Sequence, residues 1–580
     1  MPADQQKAQR PNLLSLMIVT GLLAWGVMET RPLTVNGELQ ALPGLLAGLA
    51  FITGMRLVIE MLGVLARFLD WQATYQPTGK GGTARWARAK DFRSQRSRKK
   101  TGPFWGLLAG RKRIPLFIDF ASNAMCVAPA GSGKGIYTVV PMGMSIRESK
   151  VFPDFKGENV CMLKPPLEKR GEIVRVLNPA GLFKEQIGES DCYNPLDIIT
   201  DSLHRPGGLR DIPDDLRELT KQLLPEPEQK DGENTYWREG SRRAIADAIL
   251  LEVMVEEYEA TLSSVALLIE DRVALENNLR WVVGVDPEGK PLPDGPMPIE
   301  SAPWASRHEI ADIEAFARLF RARAGNLLAL MTGAESRAFD SFITGAQQAL
   351  APYAFGRLSP VMQRSTFSMN DLKDGDRPTS LFIVTDASRS EAFKPYQGIM
   401  QWCVMTAIKR HPVKERAVYF ILDEATNFVV LGLVSLLTWG RSYGLRLLII
   451  FQDFSAYERR NGKDALETLL SETEIKLILP GQRSPKTLAM IEKILGQQSV
   501  MSASLSAHAE GLREQVSESG RAMMMADEVR RSPYGLLLVR QLPPALITPV
   551  SYAEVHPWRK QVGINPFHGK RFLRPVKLRL

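Results

Sequence analysis

Ala124-Met-Cys-Val127 runs directly into Ala128-Pro-Ala-Gly-Ser-Gly-Lys-Gly135, and Ile136-Tyr-Thr-Val-Val140 continues beyond it, so that a glycine loop joins a short apolar strand signal to a helix start. Backbone N–H groups and a helix N-terminus in such a loop can cradle phosphates while Lys134 reaches the β/γ oxygens. Far downstream, Val418-Tyr-Phe-Ile-Leu-Asp423-Glu424 is a continuous apolar strand ending in two carboxylates. Asp423 there is placed to hold Mg²⁺ through water and Glu424 to polarise an attacking water. Taken singly, the loop is also compatible with a tight turn whose lysine is solvated, and the strand with an end in solvated acids. Both signals at strand ends of one chain favour a nucleotide triphosphatase site.

The loop departs from G-x-x-x-x-G-K-[ST] at two places. Ala128 stands for the first Gly, and Gly135 for the hydroxyl that normally binds the metal. Thr138 lies too far along the helix to replace that hydroxyl without a backbone change. The phosphate-binding candidates are therefore Gly131, Ser132, Gly133, Lys134 and Gly135, with Asp423 as the metal residue and ATP and Mg²⁺ as the expected cofactors.

With 580 residues and a hydrophobic fraction of 44%, the chain is globular and long enough for two or three domains. A formal charge of +9 favours anionic partners, either nucleic acid or lipid headgroups. The four cysteines form no C-x-x-C pair and no metal spacing, as expected for buried free thiols in a reducing compartment.

Leu13 to Met28 is uncharged and close to bilayer-spanning length, and a second apolar segment runs from Ala41 to Met55 and on through Arg56 and Glu60 to Ala66. The short link between them predicts a transmembrane hairpin in contact with membrane lipids. A signal peptide is disfavoured because no A-x-A-like cleavage site follows. Arg85, Arg88, Arg93, Arg96, Arg98, Lys99 and Lys100 come next, which by the positive-inside rule puts both termini and the bulk of the chain in the cytoplasm.

Strand signals at Ile114–Asp119, Lys150–Asp154 and Ile173–Leu177 alternate with helical ones. They return at Ser380–Thr385, Leu445–Gln452, Ile475–Leu479 and Gly535–Val539. Between the two groups the texture is helical, including Trp237 to Met254 and Ile313 to Met331. The expectation is an α/β nucleotide-binding domain in two parts, 71–200 and 374–555, interrupted by an all-α inserted domain over 201–373. The hairpin takes up 1–70 and a basic C-terminal tail 556–580. Trp237, Arg238, Arg242 and Arg243 are candidate DNA contacts, or else a solvated Arg-rich helix face. The tail is a further anion-binding candidate.

The residues resemble the type IV coupling proteins, the TraG-like ATPases of conjugation and type IV secretion. The resemblance rests on Gly82-Thr-Ala-Arg-Trp-Ala87, the Gly-Ser-Gly-Lys-Gly135 loop, Asp154-Phe-Lys-Gly-Glu158, Tyr193-Asn-Pro-Leu196, Leu422-Asp-Glu-Ala425, and Gly440-Arg441-Ser-Tyr-Gly-Leu-Arg-Leu447 followed by Gln452. It implies a RecA-like P-loop motor domain with an all-α insert, assembled as a membrane-anchored homo-hexamer around a channel. Such a protein recruits a relaxase bound to single-stranded DNA, or a protein effector, and hands it to type IV secretion channel components. The same resemblance implies that Arg441 is an arginine finger and Gln452 a glutamine sensor, beside Lys134 and Glu424 as catalytic residues. Two alternatives stand beside it. One is a membrane receptor for protein effectors that binds nucleotide without DNA pumping. The other is a chromosomal double-stranded DNA translocase, for whose usual DNA-reading module the short tail leaves no room.

Overall fold

The apolar runs form strands because both of their faces are covered. The computed structural model describes residues 20–22, 24–25, 28, 41–74, 78–110, 113–226, 235–333, 336–424, 433–508, 511–569 and 574–580. Its strands are β1 (Phe104–Leu108), β2 (Ile114–Phe117), β3 (Asn123–Val127), β4 (Ser149–Asp154), β5 (Ile173–Leu177), β6 (Thr379–Val384), β7 (Val418–Leu422), β8 (Leu445–Phe451), β9 (Thr473–Ile478), β10 (Gln497–His508), β11 (Gly511–Ala522), β12 (Gly535–Val539) and β13 (Ala545–Thr548). Every residue of β3, β4, β6 and β7 is buried, the pattern of a sheet sandwiched between helices.

The chain divides into two compact units, residues 85–495 with 524–580, and residues 1–84 with 496–523. The larger holds an 11-stranded sheet in the order β2-β1-β13-β12-β9-β3-β8-β7-β4-β6-β5. From β9 to β5 all neighbours are parallel, and β12, β13, β1 and β2 extend the β9 edge antiparallel. The fold is thus α/β with a large, mostly parallel sheet. In it β3 lies between β8 and β9, with Val127 opposite Phe451 and Ile478, and β8 separates it from β7. The carboxyl ends of β3, β4, β7 and β8 consequently share one edge, the usual ligand edge of a parallel sheet.

Between β5 and β6 the described residues form helices and no strand. Helix Ser336–Ala354 packs on Thr235–Glu256 and Leu262–Glu270, and Arg272–Val283 packs on Ile310–Thr332. Arg242 faces inward here: it is 4% exposed, donates to Leu224 O at 2.7 Å and pairs with Glu226 and Glu239. Arg238 pairs with the same Glu226 at 2.7 Å. These two arginines therefore fasten the insert, and neither is an unpaired surface cation awaiting DNA.

In the smaller unit, β10 and β11 pair antiparallel along their whole length. Thr83 bridges to Gln498, and Glu518 accepts from Thr78 Oγ1 at 2.6 Å and Gly79 N at 2.8 Å. Gly82 is required at this junction, because its φ is +144° and a Cβ there would sit 2.2 Å from Gln497 O.

The expected transmembrane hairpin is not borne out. Its first segment lies largely outside the described residues. Its second forms a helix, Ala41–Thr74, but among the described residues no helix is long and apolar enough to cross a membrane. The physical reason is Arg56 with Glu60, which limits the charge-free run to Ala41–Met55, about 22 Å of helix against a hydrocarbon core of about 30 Å. The helix nonetheless exposes Leu45, Phe51, Ile52, Met55, Val58, Ile59 and Leu62.

Candidate functional site

The loop after β3 turns at Gly131 and Gly133, whose φ values of +77° and +79° suit only glycine without strain. The chain then starts its helix with a wide turn, Gly135–Val139, before regular α-helix over Val140–Ser145. Thr138 is fully buried on this turn and its hydroxyl lies 3.7 Å from Cys126 Sγ, so it faces the sheet and not the loop. Ser132 Oγ is buried and accepts or donates no hydrogen bond. It is the loop hydroxyl with unspent polar capacity.

At the end of β7, Asp423 and Glu424 meet Lys134. Lys134 Nζ donates to Glu424 Oε1 and lies 3.4 Å from Asp423 Oδ1. Glu424 has a left-handed backbone, φ +61°, a conformation that costs a non-glycine residue on the order of 1 kcal/mol and is concentrated at functional sites. Burial raises the Asp423 carboxyl above the ordinary carboxylate range despite the opposing pull of Lys134. Next along the sheet, burial also pushes Asp154 up to about 6, although its carboxylate accepts from Val160 N at 2.9 Å. Both shifts come first from burial, and added positive charge at either carboxylate would oppose them.

These groups line one cavity of about 630 Å³, in which Gly131, Gly133, Lys134, Asp154, Asp423 and Glu424 form one side. Among the described residues no cluster of three or more His, Cys, Asp or Glu is arranged to hold a metal by itself. One buried carboxylate beside a phosphate loop fits Mg²⁺, which takes few protein ligands and shares the rest with water and phosphate. Asp423, at the end of β7, is the carboxylate beside the loop that such an ion would use.

Arg441 stands elsewhere. It lies in the turn Gly440–Tyr443 before β8, at the amino end of the parallel strands, in a second cavity of about 600 Å³ shared with Glu472, Glu474 and Arg540. The length of β8 separates it from the edge that carries Lys134. Gln452 follows Phe451 at the correct edge, where Ala128 N donates to Phe451 O at 2.8 Å, but it does not line the nucleotide-sized cavity.

The cavity is also lined by residues that sequence reading did not place there: Tyr552, Asn565, His568 and Arg574. The segment expected to be a tail is folded. Trp558 and Val562 are buried, Gly563 N donates to Met162 O at 2.8 Å, and Val555–His556 pairs with Leu578–Arg579. Its basic composition was the only signal available. Gln482 was also missed; it is buried after β9, and its Nε2 donates to Val127 O at 3.2 Å, bracing the strand that delivers the loop.

Residues 83–280 and 300–554 match the family described as Type IV secretory system Conjugative DNA transfer. The conjugal transfer protein TraG of Escherichia coli is 23% identical over 511 residues, covering 80% of this chain and 71% of that protein. Protein VirD4 of Rhizobium radiobacter is 23% identical over 491 residues, covering 81% of this chain and 64% of its own length. Among solved structures, the bacterial conjugative coupling protein TrwBdeltaN70 superimposes with a TM-score of 0.52 at 16% identity, over 82% of this chain and 96% of that one. TrwB in complex with the non-hydrolysable ATP analogue ADPNP gives 0.52 at 16% identity, over 81% and 93%. At such identity the likeness speaks for the fold.

Proposed function

The chain belongs to the family of type IV secretory system conjugative DNA transfer proteins, as a type IV coupling protein, and from that membership we propose that it is an ATPase that drives substrate into the secretion channel. The substrate in this reading is single-stranded DNA carried by its relaxase, delivered at the bacterial inner membrane by a homo-hexamer. The observation that carries it is the convergence of Lys134, Asp423 and Glu424 at the carboxyl edge of β3 and β7 in one cavity.

Lys134 pairs with both acids. A triphosphate in the loop would take Lys134 onto its β/γ oxygens, and Glu424 would orient water for in-line attack. Mg²⁺ held at Asp423 would neutralise charge on the transferred phosphoryl group. Arg441, at the opposite end of its own sheet, is unsuited to act on this chain's loop. A head-to-tail ring gives it a loop to act on in the neighbouring subunit. Gln452, at the loop's edge, is the proposed γ-phosphate sensor. The exposed apolar face of Ala41–Thr74 supports anchoring by lipid, together with the segment from Leu13.

The test is ATP turnover by the detergent-solubilised full chain with and without single-stranded DNA. DNA-stimulated turnover lost in Lys134→Ala is expected. Tight nucleotide binding with no turnover under either condition would favour the receptor reading.

A further inference from the structure

The C-terminal segment is docked by specific contacts. Asn565 Nδ2 donates to Glu158, at the N-terminus of helix Glu158–Lys169, while Asn565 Oδ1 accepts from Phe567 N at 2.9 Å and His568 N at 3.2 Å. Phe567 meets Phe183 edge to face at 5.5 Å between ring centres. Gly563 lies so close to the same helix that a Cβ would stand 2.1 Å from Cys161 O. Residues 563–568 therefore form a fixed part of the cavity wall.

Arg574 follows further along the chain. Its Nη1 donates to Tyr137 Oη at 3.0 Å, and the guanidinium lies 3.9 Å from Glu554. The Tyr137 ring packs against the phosphate loop, where a Cβ on Gly133 would be 2.8 Å from it. Arg574 is thus held one phenol ring away from the turn that would receive the phosphates, and it lines the same cavity as Lys134. The cavity is otherwise acidic: Asp154, Glu158, Asp423 and Glu424 face Lys134 and Lys156. A magnesium nucleoside triphosphate keeps net negative charge, and the open side of the cavity offers it Arg574. A forked guanidinium is the side chain best matched to phosphate oxygens.

Resting on the nucleotide-site reading above, we propose that Arg574 is a nucleotide-binding residue. It takes the phosphate chain together with Lys134, exchanging its Tyr137 and Glu554 contacts for phosphate oxygens. Because it is recruited to phosphate and not to the base, its contribution is blind to the base.

The test is equilibrium binding of Mg·ATP and Mg·GTP to the full chain and to Arg574→Gln, Arg574→Lys and Lys134→Ala. Arg574→Gln is expected to weaken both nucleotides by the same factor, on the order of tenfold, with Arg574→Lys recovering part of it. Nucleotide-free melting temperature is expected to stay unchanged, since the Arg574 side chain is about one-third exposed. Unchanged affinity in Arg574→Gln, or a loss confined to one base, overturns the proposal. A fall in melting temperature with no Lys rescue does so too, by assigning Arg574 a structural role. Lys134→Ala separates the two readings: if it still binds as wild type the nucleotide site itself is misassigned, whereas if it alone loses binding only Arg574 is.

Discussion

Lys134, Asp423 and Glu424 were legible because each carries its own local pattern: glycines around a lysine, and acids at the end of an apolar run. Arg574 has no such pattern. It reaches the cavity through Tyr137, a neighbour 437 positions away in the chain, and nothing in its flanking residues encodes that distance. Arg441 tests the ring at the level of one side chain. Arg441→Ala should keep nucleotide binding and lose turnover by on the order of a thousandfold. Mixing it with Lys134→Ala should restore part of the rate, because an intact loop then faces an intact arginine. No recovery at any ratio, with mixed rings shown by mass, would remove Arg441 from the mechanism. A second residue predicts a pH effect away from the site. Burial raises Asp197 to about 6, against an ordinary value of 3.8, while its carboxylate accepts from Ser365 Oγ. An acid whose folded pKa lies above its unfolded one binds more protons when folded, so its contribution to stability falls as pH rises between about 4 and 6. Asp197→Asn should accordingly melt higher than wild type at pH 7.5, by about 1 kcal/mol after allowance for partial exposure, with the gap closing towards pH 4. Equal melting curves across that range would contradict it.

The parallel strands announced themselves as elements because burial on both faces makes them unbroken apolar runs. The elements that stayed hidden are of other kinds. β1 and β13 are short antiparallel additions at one edge, and β1 is interrupted by a register shift between Phe104 and Leu107. β10 alternates Met501, Ala503, Leu505 and Ala507 with Ser502, Ser504 and Ser506, but two of its four apolar positions are only alanine, and β11 is rich in Glu, Ser and Arg, so the period of two is faint. The folded C-terminal segment was hidden for a third reason: its hold on helix Glu158–Lys169 is by single contacts and not by a repeating pattern. One of these is testable. Gly563→Ala places a methyl group against Cys161 O and should weaken docking by about 1–3 kcal/mol. Limited proteolysis should then cut within 558–580 faster than in wild type, while the rest of the chain keeps its fragment pattern. An unchanged cleavage rate would mean that the contact yields at no cost.

For the molecule as a whole, the α/β class and the helical insert followed from the alternation of texture along the chain. The membrane hairpin read from two apolar segments is not borne out: the first lies largely outside the described residues, and Arg56 and Glu60 interrupt the second. Membrane attachment remains measurable: deletion of residues 1–74 should move the protein from the membrane pellet to the supernatant and lower its oligomeric mass. A deleted form that still sediments quantitatively with membranes would locate the anchor elsewhere. The sheet order has one more consequence, for synthesis. The loop strand β3 is flanked on one side by β8 and on the other by β9, so 351 positions separate Val127 from its partner Ile478. At roughly 5–20 residues per second, a ribosome needs on the order of 20–70 s to supply that partner. Until β8 is made, its Phe451 lying 324 positions after Val127, β3 has no neighbour on either side, so a chain cut short before β8 lacks both flanks of the strand that delivers the loop. Translation therefore completes the surroundings of this strand from the β8 side first and the β9 side last.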